Sequence, residues 1–157
     1  EGTAVKKSEN NEEGTTMNGL EYNGDESIND LPEEGQGIYI EGMDYDAAMH
    51  NCAGDEDILM SVLTEIKNEA PERIARMREL AAKKDYAGYE IEAHALKGLM
   101  ATIGMNGLSE RAKKHEFAVK EGNYDIVDSD VDGLLAEYEA LCKTIKREIN
   151  GIIKRID

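Results

Sequence analysis

The chain has no tryptophan, one phenylalanine and two prolines in 157 residues, and its two cysteines stand far apart at 52 and 142. Seven tyrosines complete its aromatics. With so few rings, a core must come from Leu, Ile, Ala, Met and Val, which suits helices better than stacked sheets. The cysteines form no CxxC, so a reducing compartment with inert thiols is expected. No apolar run approaches the length of a spanning helix, and nothing resembles a signal peptide. A cytoplasmic location without direct membrane contact is the resulting expectation. Positive charge is scarce too: 18 Lys and Arg face 34 Asp and Glu, for a net charge of −16. Phosphate backbones and anionic lipid surfaces repel such a chain, which argues against nucleic acid and membrane as partners.

The acidity is uneven. Residues 1–37 hold ten acids and two bases, half the net charge, with many Gly, Asn, Glu and Thr and no lasting period. They read as an acidic disordered linker or tail, leaving 38–157 as the folded domain. The first residue is Glu1 rather than Met, as expected for a piece of a longer polypeptide.

From Gly37 the pattern turns helical. GIYIEGMDYDAAMHNCAGD predicts a short extended lead-in, then a short helix from about Asp44 to Asn51, ended by Gly54. Asp55 caps the next helix, with Glu56 and Asp57 in its first turn. Ile58, Leu59, Val62, Leu63, Ile66, Ile74, Met77, Leu80 and Ala81 recur at helical spacing to about Lys84. Pro71 should kink or split this run, since it lacks a backbone donor and clashes with the preceding turn. A third helix is expected from about Asp85 to Ile103, with Gly104 as its left-handed end. A fourth runs from Asn106 to about Glu121, and a fifth from near Asp130 to about Arg155. Short links between long helices predict an all-α fold, an antiparallel up-down four-helix bundle with a short additional N-terminal helix.

One of only three histidines lies in the stretch HALKGLMATIG, residues 94–104. The apolar stripe of that helix is Tyr89, Ala93, Leu96, Met100 and Ile103. The neighbours of His94 at helical spacing are instead Glu90, Lys97, Gly98 and Ala101, all charged or very small. His94 is therefore expected on an outward face rather than in the core. A neutral imidazole nitrogen is a nucleophile, and imidazole is mostly neutral at pH 7. If it took a phosphoryl group, Lys97 one turn on would pair with the dianion as a mobile cation. A glycine inside a helix costs about 1 kcal/mol relative to alanine. Gly98 makes sense if another protein must come close to the imidazole, and Ala101 keeps the next turn low.

HALKGLMATIGMNGL resembles the core motif of histidine-containing phosphotransfer (HPt) domains. That motif is a His, then Leu, Lys and Gly at +2, +3 and +4, Gly at +10 and Leu at +14. Here these are His94, Leu96, Lys97, Gly98, Gly104 and Leu108. The likeness extends over about residues 38–150, through GDEDILMSVL, EAPERIARM and KKDYAGYEIEAH. It implies a four-helix bundle whose histidine carries a phosphoryl group between response-regulator receiver domains. It also implies the setting of a hybrid sensor histidine kinase, with a receiver in cis. The chain itself would need no cofactor and would have no kinase activity of its own; the divalent metal would belong to the receiver. In the family the residue 22 positions after the histidine is commonly Glu or Gln and lies near the imidazole; here it is Glu116. The preceding residue is usually Leu, whereas this chain has His115, which should alter the edge of the bundle core. His50 reads as an exposed polar residue.

Two other readings compete. One is a helical docking or scaffold bundle without chemistry, which leaves His94, Lys97 and Gly98 unexplained together. The other is calcium binding. DSDVDGLLAEYE at 128–139 places Asp128, Asp130, Asp132, Gly133 and Glu139 at positions 1, 3, 5, 6 and 12 of an EF-hand loop. The motif is single, and its aspartates equally suit a helix N-terminus. No histidine ends an ExxH, so no metal site is assigned to the chain.

Overall fold

In a computed structural model, residues 37–157 are described. The acidic segment assigned to 1–37 lies, but for Gly37, outside the described residues. Five helices follow an extended lead-in: α1 (Tyr45–Asn51), α2 (Glu56–Ala82), α3 (Tyr86–Thr102), α4 (Asn106–Lys120) and α5 (Tyr124–Ile156). There is no strand among the described residues. In the lead-in, Ile38 and Ile40 are buried while Tyr39 points to solvent.

Short aspartates start three of the helices. Asp44 Oδ1 accepts from Ala47 N–H, Asp55 Oδ1 from Asp57 N–H at 2.9 Å, and Asp85 Oδ1 from Gly88 N–H. Each satisfies a donor that the first turn leaves unpaired. At the far end of α3, Gly104 has φ +71°. Asp44 N–H donates to Gly104 O at 2.9 Å, and a Cβ at 104 would lie 2.2 Å from Asp44 O. Only glycine fits there, so this position pins the start of α1 onto the end of α3.

α3 packs on α4, α4 on α5, α5 on α2 and α2 on α3, closing a four-helix bundle; α1 rests on α2 and α3. Residue numbers rise on one helix as they fall on the next, Glu90–Lys120 then Lys97–Ser109 between α3 and α4, Arg111–Glu137 then His115–Asp130 between α4 and α5, so these neighbours are antiparallel. The core is aliphatic with two tyrosines. Leu59, Leu63, Met77, Tyr89, Leu96, Leu134, Tyr138 and Ile145 are fully buried. Each such aliphatic side chain contributes about 1.5–3 kcal/mol of transfer free energy.

Three expectations are corrected. Pro71 does not split the second helix, since α2 runs unbroken from Glu56 to Ala82 with Pro71 inside it. Ala70 and Met77 stay buried on either side of it, so tertiary contacts outweigh the lost backbone bond. Ile58, aligned with the apolar pattern of the second helix, is exposed. The fifth helix begins at Tyr124, not near Asp130. Val127 is fully buried and the Tyr124 ring stacks on Tyr86 at 4.0 Å, so apolar contacts order the extra turns. Residues 128–139 are consequently helical, and the EF-hand loop does not exist.

A tied imidazole on the seam of α3 and α4

The register of α3 on α4 sets the site. Ser109 Oγ donates to Lys97 O at 2.9 Å, joining the start of α4 to the middle of α3. Asn51 Nδ2 donates to Thr102 O at 3.1 Å, holding the end of α3. Beneath, Leu96 and Met100 are buried without remainder. A polar line of side chains results above them.

His94 is 66 % exposed, while Glu116, facing it from α4, is only 2 % exposed. His94 Nδ1 lies 2.8 Å from Glu116 Oε1. Lys120 Nζ donates to the same oxygen at 2.6 Å. Lys97 Nζ pairs with Oε2 at 2.7 Å. Burial by itself pushes the Glu116 carboxyl up, but Lys120, Lys97 and His94 together hold it down at about 2. Glu116 is therefore ionised at neutral pH and can only accept. The Nδ1 of a neutral ring must then carry the proton, which leaves Nε2 with a free lone pair.

The surroundings are low. A Cβ on Gly98 would meet nothing within 4 Å, and Gly98 and Ala101 are both exposed. No contact inside the fold demands glycine at 98. Glu90 is half-buried and faces Lys120 at 3.9 Å, on the margin of the site. His50 is exposed on α1.

Thus the structure brings His94, Lys97 and Glu116 together, with Glu90, Gly98 and Ala101 around them. Lys120 was missed by the sequence reasoning. Its signal was present, since it follows Glu116 by four residues on one helix. The structure also shows what His115 does. It is 1 % exposed, its Nδ1 lies 2.7 Å from Tyr89 Oη and its Nε2 lies 2.9 Å from Asp130 Oδ2. Arg111 clasps Asp130 and also reaches Glu137 at 2.6 Å. Arg111, helped by His115, lowers the Asp130 carboxyl to about 2.

The described residues form a helical bundle that displays one tethered, solvent-facing histidine. A family model described as the Hpt domain matches residues 61–144, more than half of the chain. The chain belongs to the Hpt domain family, the phosphotransfer domains of His–Asp phosphorelays. Its structure is similar to the crystal structure of the HPT domain from the Hpt sensor hybrid histidine kinase of Shewanella. The TM-score is 0.64 at 15 % identity, covering 70 % of this chain and 95 % of that one. At that identity the likeness concerns the fold. No curated protein matches the chain. Among the described residues no helix is long and apolar enough to cross a membrane.

Proposed function

We propose that His94 is the phosphoacceptor of a multistep His–Asp relay, taking the group from a receiver aspartate and passing it to a second receiver. The observation that carries this is the Nδ1 contact to an ionised, buried Glu116. It presents Nε2 outward as the nucleophile. The Nε2 lone pair attacks phosphorus, the bond from phosphorus to the aspartyl oxygen breaks, and the receiver carboxylate departs. The ring becomes an N-phosphorylated imidazolium whose remaining proton, on Nδ1, faces the Glu116 carboxylate. No proton has to leave during the transfer.

Lys97 and Lys120 serve Glu116 in the resting chain and are long enough to turn toward the new phosphoryl dianion. Gly98 and Ala101 clear the approach, with Glu90 at the rim of the contact. The receiver supplies the acidic pocket and the divalent metal; the chain acts as a transfer partner without kinase activity of its own. A receiver in cis within a cytoplasmic hybrid kinase is the partner whose local concentration a tether raises.

The test is phosphotransfer from receiver domains preloaded with a small phosphodonor, using wild type and His94→Gln. Wild type should gain an acid-labile, base-stable label, and His94→Gln should gain none while keeping its helicity. A label that survives the substitution, or a variant that loses its fold, would overturn the assignment.

A further inference from the structure

The seam opposite the histidine is also shaped. Where α2 meets α5, a groove of about 550 Å³ runs along the two helices. Its floor is apolar, with Ile74 and Cys142. Its rim is basic: Lys67 and Arg78 from α2, Lys143 and Lys146 from α5, against the single carboxylate of Glu139. In a chain of net charge −16 this is the wrong sign for a surface by chance of composition. Nor are these cations consumed internally. Lys143 meets Glu139 only at 3.6 Å and Arg78 meets Asp132 at 3.9 Å, both well exposed. Lys67 and Lys146 form no ion pair among the described residues. The basic strip continues along α5 through Arg147 and Lys154.

Dimensions narrow the occupant. Lys67 and Arg78 are eleven residues apart on α2, a span of about 16 Å, or three helical turns. Pro71, between them on the groove wall, has no N–H, so the Lys67 carbonyl lacks its usual intrahelical donor. An apolar floor between two basic rims fits a helix with an apolar stripe flanked by carboxylates. We infer that the α2–α5 groove is a second docking surface, for an acidic amphipathic helix of a partner protein. It lies across the bundle from His94, so both faces can be occupied together.

The probe is a 21-residue acetylated peptide with Leu at heptad a and d positions and Glu at e and g, titrated into the isotope-labelled full chain. Amide shift changes should be confined to residues 64–78 and 139–147. Binding should weaken more than tenfold in the Lys67→Glu/Lys146→Glu variant, and strongly in high salt, which screens exposed charges. That variant should keep wild-type helicity and wild-type labelling at His94, so failure here is distinct from failure of the phosphocarrier reading. The inference is overturned if the peptide causes no changes, if changes centre on α3 and α4, or if a Lys-for-Glu peptide binds equally well. It is also overturned if the same residues shift with protein concentration alone, which would make a second copy the occupant.

Discussion

Two histidines of this bundle each meet a carboxylate, yet they are chemically unlike. His94 is two-thirds exposed and uses one ring nitrogen, on Glu116. His115 is buried and uses both, on Tyr89 and Asp130. A ring with both nitrogens engaged has no lone pair to offer an incoming phosphorus atom. A ring with one engaged has its tautomer set and its other nitrogen available. Adjacent residues on α4, His115 and Glu116, thus point to different neighbours, one to the interior network and one to the surface site. The number of partners, rather than the presence of an imidazole, separates a structural histidine from a reactive one.

The comparison can be broken most sharply by substitution. His94→Gln should reduce labelling to background, whereas His115→Leu should keep most of the wild-type rate; equal losses would erase the distinction. Glu116→Ala should come next, slowing transfer by about a hundredfold, because it removes the group that sets the His94 tautomer. Rapid-quench kinetics would measure it, and an unchanged rate would remove Glu116 from the mechanism. Lys97→Ala should slow transfer severalfold or shorten the life of the phosphohistidine, with circular dichroism unchanged; unaltered kinetics would leave the role to Lys120.

The smallest effect is on stability. Burial lowers the His115 pKa below its ordinary 6.5, only partly offset by Asp130. The unfolded chain therefore takes up this proton more readily than the folded one. Stability from this group is full above about 6.5 and declines as the pH falls toward the folded-state value. Asp130 and Glu116, both held at about 2, add a second loss as the pH drops below their ordinary values of 3.8 and 4.5. Melting temperature from pH 7.5 to pH 5 should decline in wild type and flatten in His115→Leu; parallel curves would show that His115 does not contribute.

Much of this was legible in sequence. Helical spacing placed His94 outside the stripe of Tyr89, Ala93, Leu96, Met100 and Ile103, and all five prove buried. Its pairing with Glu116 was legible only through the family likeness, because spacing within one helix carries no register on the next. The Asp130–His115 contact was hidden for the same reason, and the aspartates of 128–132 looked like a loop or a cap. α4 ends at Lys120, with Gly122 left-handed just beyond, but the chain re-enters a helix at once, where Val127 and Tyr124 find partners that local pattern does not reveal. Pro71 leaves α2 undivided because the tertiary contacts of a 27-residue helix outweigh one local penalty.

Gly98 leaves a further consequence. Nothing inside the fold fills the space where its Cβ would be. In the unfolded chain a glycine samples more backbone conformations than any other residue, and α3 must withdraw that freedom every time it forms. The molecule thus carries an entropic handicap one turn from its exposed imidazole, at a position where an ordinary side chain would have made the helix easier to fold.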